Sequence, residues 1–285
     1  MRCTFERHRR FIKLRALPVV EVDSAELTSA AREFGCFYLR HSPRADAVGL
    51  ARLFFDLPLA EKRALAIEGS RHFRGYSEMR NERDWREQIH FGREEEALGG
   101  LRGPNLWPRD LAWKGAVLGL MGELEGVGRA VLRRLGSFME EGEEGYLLLK
   151  MIHYPPSPGR AGVAAHVDFS WITLLAQDET GGLEICTPTG EWLAAPFVPG
   201  TLVVNLGEIL QFATNGYYQA TPHRVMTGSD SRVSLPFFLN PGLDRVVSAV
   251  DPAPHVHRVL RPAPLHFGEE EWKRKGLGIW CAGCC

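Results

Sequence analysis

A chain of 285 residues can bury a full hydrophobic core without disulfide or metal staples. Its composition, 45% hydrophobic and 24% charged, excludes a disordered chain, and a formal net charge of -1 gives no electrostatic reason to expect nucleic acid or an anionic membrane as partner. No stretch approaches the roughly 18 consecutive apolar residues of a membrane span.

The basic start, MRCTFERHRRFIKLR, has no apolar centre, so no secretory signal is expected. Six sparse cysteines (Cys3, Cys36, Cys186, Cys281, Cys284 and Cys285) do not make a secreted disulfide framework, and a reducing cytoplasm is the default location. LPVVEVD reads as a short strand. SAELTSAAREFG then carries a helix signal, with Ser24 as N-cap, apolar residues three or four apart and Gly35 as the stop. CFYLRH reads as a second strand. RADAVGLARLFFDLP and LAEKRALAI look helical, with a break at Pro58. The longest helical pattern starts at Leu111 and runs to Met139, weakened by several glycines.

The character then changes. YLLLKMIHYP, WITLLAQD, LEICTP, EWLAAPF, TLVVNLG, ATPHRVMT and RVSLPFFLNP are short β-rich runs separated by Gly, Pro, Asn and Asp. That spacing predicts a sandwich or barrel, and a jelly roll suits the number of strands. The expected fold is therefore α+β. An α-rich N-terminal region (1–144) packs on a β-core (145–245), and a C-terminal extension (246–285) follows.

Within the β-core, His166-Val167-Asp168 precedes an apolar run. Residues i and i+2 of an extended segment share a face, so the imidazole and the carboxylate point together. Alone the pair also fits a polar turn or a hydrolase acid/base pair, although no G-x-S-x-G elbow or P-loop accompanies it. His223 is the candidate third ligand. The turn-forming run Gly228-Ser229-Asp230 suggests a hairpin that sets His223 opposite Ser234 or Leu235, with Arg232 and Ser234 on one face. An arginine inside a β-core needs an anion, and its planar fork grips a carboxylate. Two histidines and one carboxylate form the facial triad of non-haem Fe(II) oxygenases, and Arg232 would meet the far carboxylate of a dicarboxylic cosubstrate.

The chain resembles the 2-oxoglutarate- and Fe(II)-dependent oxygenases related to isopenicillin N synthase and the plant flavonoid oxygenases. The likeness runs from about Leu17 to Asp244: FFDLPLAEKRAL, FRGY, DWREQIHFG, GPNLWP, HYPP, HVDFSWITLLAQDETGGLEI, PHRV and RVSLPFFLNP fall in the family's order. It implies a double-stranded β-helix, a jelly-roll variant. It implies Fe(II) held by His166, Asp168 and His223, and 2-oxoglutarate held by Arg232, Ser234 and Tyr154. A small-molecule substrate would be oxidised with O2, with release of succinate and CO2. Many relatives have Asn where this chain has Ile152, a departure that touches the cosubstrate contact. Asn205 would back the metal site. Two other readings stand beside this one: an oxidase like isopenicillin N synthase that does not consume 2-oxoglutarate, and a non-catalytic ligand-binding relative.

Other residues are ambiguous. Phe73, Arg74, Tyr76, Gln88, His90, Phe91, Phe169 and Trp171 are candidates for a substrate wall and equally for ordinary core. His72, His90 and His153 receive no metal role. His255 and His257 read as loop or edge strand, and CAGCC as a tail. REEEA and GEEEWKRKG read as solvated charged faces.

Overall fold

The computed structural model describes residues 16–140, 142–249 and 264–275. The basic start, His255, His257 and the CAGCC tail lie outside the described residues. In chain order the strands and helices are β1 (Val19–Val20), α1 (Glu26–Phe34), β2 (Cys36–Arg40), α2 (Ala47–Phe55), α3 (Leu59–Arg63), β3 (Gly75–Arg80), β4 (Trp85–Phe91), α4 (Leu111–Leu135) and β5 (Leu147–Tyr154). There follow β6 (Ala161–His166), β7 (Ile172–Gln177), β8 (Leu183–Cys186), β9 (Trp192–Ala194), β10 (Thr201–Leu206), α5 (Glu208–Ala213), β11 (His223–Met226), β12 (Arg232–Leu239), β13 (Val246–Val247), β14 (Leu265–His266) and α6 (Phe267–Arg274).

Two sheets form the jelly roll. The major sheet has the order β1-β2-β10-β7-β12-β5-β4-β3, and the minor sheet β6-β11-β8-β9. Helices cover the outer face of the major sheet, so its central strands are buried on both sides and read as continuous apolar runs. The two faces are visible in the packing. Leu174, Val204, Met151 and Leu235 join Leu120 and Leu124 of α4 and Phe54 of α2 on the outer side. Their strand neighbours Leu175, Val203 and Ile152 pack instead with Leu183, Ile185 and Val225 of the minor sheet. Each fully buried aliphatic side chain stabilises the fold by roughly 1.5–3 kcal/mol.

Local chemistry explains the element ends. The N-cap of α1 is Ala25 rather than the expected Ser24, which sits one residue earlier and whose Oγ still accepts from the Glu26 amide; Gly35 stops α1 at φ 64°, where its amide donates to Ala31 O. Pro58 separates α2 from α3 and lacks the amide that a continuing helix would use. Of the α4 glycines, Gly128 has a packing reason: a Cβ there would meet Leu239 Cδ2 at 2.9 Å, so its bareness lets the helix approach the sheet. Asp110 Oδ1 caps the start of that helix by accepting from the Ala112 and Trp113 amides.

The N-terminal region holds its helices and also lends β1, β2, β3 and β4 to the major sheet, β1 and β2 being the strands expected from LPVVEVD and CFYLRH. Two expectations change. β11 and β12 do not form a hairpin: β11 pairs with β6 and β8, whereas β12 pairs with β5 and β7. The turn between them carries the chain from one sheet to the other. The run GEEEWKRKG is not only a solvated face, because it holds most of the amphipathic helix α6, with Phe267, Gly268 and Glu271 buried. Among the described residues, no helix is long and apolar enough to cross a membrane.

Candidate metal centre and cavity

His166 ends β6 and His223 begins β11, and the two are direct register partners. Their ring centroids lie 4.4 Å apart. Asp168 follows β6 in irregular backbone, and its Oδ1 sits 3.6 Å from Nε2 of each histidine. One donor atom from each residue falls within a 4.8 Å cluster.

The ring orientations are fixed from behind. His166 Nδ1 lies 2.9 Å from Ala164 O, and His223 Nδ1 lies 3.0 Å from Thr221 O. A carbonyl only accepts, so each Nδ1 carries the proton and each Nε2 keeps its lone pair toward Asp168. Burial alone would raise the Asp168 pKa. The imidazoles of His223 and His166 and the Thr173 hydroxyl outweigh it, so the carboxyl stays ionised well below the usual range. Burial holds His223 below its ordinary value. Asp168 Oδ2 is buried without a hydrogen-bond partner among the described residues. Two neutral imidazoles and an under-used carboxylate suit a divalent metal such as Fe(II), and three ligands leave coordination positions open.

These groups line a cavity of about 510 Å³ between the two sheets. That volume lies within the roughly 300–1,000 Å³ of small-molecule sites. Arg232 is 2% exposed at one side of it. Its Nη1 donates to Ser234 Oγ at 3.0 Å, its Nη2 to Gln177 Oε1 at 3.2 Å and its Nε to Gly181 O at 2.5 Å. Its guanidinium stacks 4.9 Å from the Tyr154 ring, the residue opposite it in register. Among the described residues no carboxylate lies within ion-pair distance of Arg232. Ile152, opposite Ser234, puts an apolar wall where Asn is common. Asn205 is 2% exposed on the cavity wall, beside Thr173 in register, with its Oδ1 unpartnered among the described residues.

The substrate-wall candidates divide. Phe73, Gln88, His90 and Phe169 line the cavity. Arg74 instead holds the His72 and Leu101 carbonyls and the Tyr146 hydroxyl. The Tyr76 hydroxyl donates to Glu87 at 2.6 Å, while Phe91 and Trp171 belong to the core. His72 bonds to the Gly100 carbonyl and His153 to Glu87 and Ser231. Gln177, Arg86, Lys150 and the α6 end (Glu271 and Lys275) do not stand out from sequence. Lys150 carries a signal all the same: it is the lone charge in the apolar run LLLKMI, and it shares the period-two face of Ile152 and Tyr154.

Comparison with known proteins gives the family. The model of the 2OG-Fe(II) oxygenase superfamily matches residues 145–241. That of the non-haem dioxygenase in morphine synthesis N-terminal family matches residues 12–110. A 2-oxoglutarate-dependent dioxygenase of Gibberella zeae is 30% identical over 91% of this chain and 81% of its own length. The chain belongs to the 2-oxoglutarate- and Fe(II)-dependent oxygenases. This oxygenase is also 29% identical to the rice protein homoarginine-6-hydroxylase 2-ODD-233, over 79% of each chain. A Neurospora crassa protein, solved in complex with alpha-KG and thymine, shares the fold at a TM-score of 0.79 and 22% identity, over 94% of this chain and 98% of that one. The activity is that of a non-haem dioxygenase using Fe(II) and 2-oxoglutarate.

Proposed function

We propose that His166, Asp168 and His223 hold the Fe(II), and that Arg232, Ser234 and Tyr154 hold the distal carboxylate of 2-oxoglutarate. The oxygenase then hydroxylates a small molecule bound in the rest of the cavity. The observation that carries this reading is the convergence of two Nε2 atoms and Asp168 Oδ1 in a cavity that also holds a buried arginine with no carboxylate in reach among the described residues. Residues 145–245 act as the oxygenase core and 1–144 as its supporting region.

When bound, the iron with O2 supplies the oxidation, converting 2-oxoglutarate to succinate and CO2 as a substrate C–H bond is oxidised. The chain supplies position and dryness. Carbonyls of Ala164 and Thr221 hold the imidazoles in the ligating tautomer. Gln177 and Gly181 fix the Arg232 fork, which is aimed before any carboxylate arrives. Ile152, Leu175, Leu183 and Val225 form apolar walls that exclude water from the centre. The relatives' named compounds, thymine and homoarginine, are small molecules, consistent with the cavity volume.

Anaerobic protein given Fe(II) and 2-oxoglutarate develops a weak metal-to-ligand charge-transfer band that is lost in His166→Ala. Persistence of the band in that variant refutes the ligand assignment. Succinate formed in step with substrate loss separates this reading from an oxidase that takes every electron from its substrate.

A further inference from the structure

The cavity contains more positive charge than its cosubstrate needs. Arg86, Arg274 and Lys275 each have a carboxylate: Asp84 at 3.0 Å, Glu208 at 2.8 Å and Glu271 at 2.7 Å. Arg83 is exposed at the rim. Two inner cations remain with no carboxylate within ion-pair distance among the described residues, Arg232 and Lys150. Arg232 is taken by 2-oxoglutarate in the proposed function, and the role inferred for Lys150 rests on that assignment. Lys150 lies four residues from Tyr154 on the same face of β5, about 13 Å along the strand. The two cations therefore rise from different positions of the cavity wall, and a cosubstrate carboxylate held by Arg232 leaves Lys150 without an anion of its own.

The surroundings of Lys150 are also unsatisfied. His90 stands opposite it in register on β4, and Gln88 stands opposite Ile152, so both border the same stretch of cavity. His90 is 2% exposed, and neither ring nitrogen has a partner among the described residues. Gln88 is equally buried, and its Oε1 has none either. Buried polar groups left without partners cost about 1–3 kcal/mol each, which makes the three unpartnered atoms of these two adjacent residues a mark of a ligand rather than of packing. The Lys150 Nζ lies 5.0 Å from the Phe238 ring, and the Lys275 Nζ lies 4.2 Å from the Phe73 ring, so two aromatic side chains flank this end. Burial and the nearby Arg86 and Lys275 outweigh the Asp168 and Glu271 carboxylates and bring the Lys150 pKa down to about 7, and burial and neighbouring cations keep His90 neutral. An arriving anion would offset both effects.

We infer that Lys150 and His90, with Gln88 beside them, form a second polar site in the cavity, separate from Arg232, and that the Lys150–His90 pair binds the carboxylate of the substrate to be oxidised. The ammonium supplies charge and the neutral imidazole one N–H, while Gln88, whose Nε2 donates to Ser77 Oγ, leaves its Oε1 to accept from an N–H or O–H elsewhere on the same ligand. Phe73 and Phe238 flank an apolar body. The substrate class is a small organic acid with a hydrophobic portion.

The test uses the full chain loaded with Mn(II), which suits the same donors, and saturating 2-oxoglutarate. Acetate, benzoate, phenylacetate, 3-phenylpropanoate and indole-3-acetate, each with its primary amide, are titrated by calorimetry at millimolar concentration. At least one acid is expected to bind about tenfold or more tightly than its amide, the size of one charge-assisted hydrogen bond. Lys150→Met removes that preference, and Lys150→Arg restores it. Equal binding of acids and amides, or no binding of any acid to wild-type protein that holds 2-oxoglutarate, overturns the inference. So does unchanged preference in Lys150→Met, or parallel loss of 2-oxoglutarate in that variant, which would put Lys150 on the cosubstrate. Failure of the wild-type protein to hold 2-oxoglutarate is a different result: it removes the reading of Arg232, and the inference with it.

Discussion

His166 and His223 face each other as register partners in the minor sheet, 57 positions apart in sequence, with the Asp168 carboxylate equidistant from both Nε2 atoms at 3.6 Å. A strand pair thus sets the separation of two donors, and the third enters from the loop after β6.

As the proposed metal site, this cluster should bind a divalent ion and be stabilised by it. Mn(II) at about 100 times its Kd should add roughly 2.7 kcal/mol by mass action. Thermal melts should therefore rise by several degrees with Mn(II) and return with EDTA. Asp168→Ala should show no such response. A metal-dependent rise of the same size in that variant would place the ion elsewhere.

Arg232→Met should raise the KM for 2-oxoglutarate by about 10–100-fold, the loss of one or two charge-assisted hydrogen bonds. Arg232→Lys should recover only part of it, because an ammonium cannot bridge Ser234, Gln177 and a carboxylate as a planar fork does. Fe(II) binding should persist in both. Steady-state succinate formation against 2-oxoglutarate concentration, with metal content measured beside it, checks all three statements.

Glu87 is the anchor of a buried network. It meets Lys62 Nζ at 2.8 Å, the Tyr76 hydroxyl at 2.6 Å and His153 Nδ1 at 2.7 Å. Burial raises its pKa, but the bonds from His153, Lys62 and Tyr76 outweigh this and bring it down to about 2. A depressed folded pKa means stability that is present above the ordinary value of 4.5 and is lost as pH falls toward 2. Urea midpoints measured from pH 6 to pH 3 should fall across this window. Glu87→Gln should lower stability at pH 7 by about 3–5 kcal/mol, because Lys62 is left buried and unpaired, and should flatten the acid limb. An unchanged acid limb in the variant assigns that limb to other carboxylates.

Two glycines of α4 should respond in opposite directions. A Cβ at Gly119 meets nothing within 4 Å among the described residues, so Gly119→Ala should stabilise by about 0.8–1 kcal/mol through helix propensity. At Gly128 a Cβ would press on Leu239 Cδ2 at 2.9 Å, with Leu174 and Ile172 behind it. Gly128→Ala should cost about 1–3 kcal/mol as α4 is pushed off the sheet. Denaturant melts of the two variants settle the signs.

Much of this molecule is legible locally. Gly35 and Pro58 mark helix ends because backbone geometry is a property of one residue and its neighbours. The period of two puts Arg232 and Ser234 on one face of β12, and Ile152 and Tyr154 on one face of β5, without reference to any partner strand. β6 is not legible as a strand: AGVAAH has weak β character and is extended because it pairs with β11.

The side chains of the candidate site and their local directions are readable from residue order: H-x-D, the later His223, and Arg232 with Ser234. Which surfaces meet is settled at a longer range. The turn at Gly228-Ser229-Asp230 looks the same whether it closes a hairpin or crosses between sheets, and here it crosses, so His223 and Arg232 reach one cavity from opposite walls. Lys150 and the end of α6 are hidden for the same reason. A lysine in a strand and a charged helix acquire meaning only when a sheet face and a distant chain segment close around the same volume. That closure depends on long-range burial, which no window of neighbouring residues encodes.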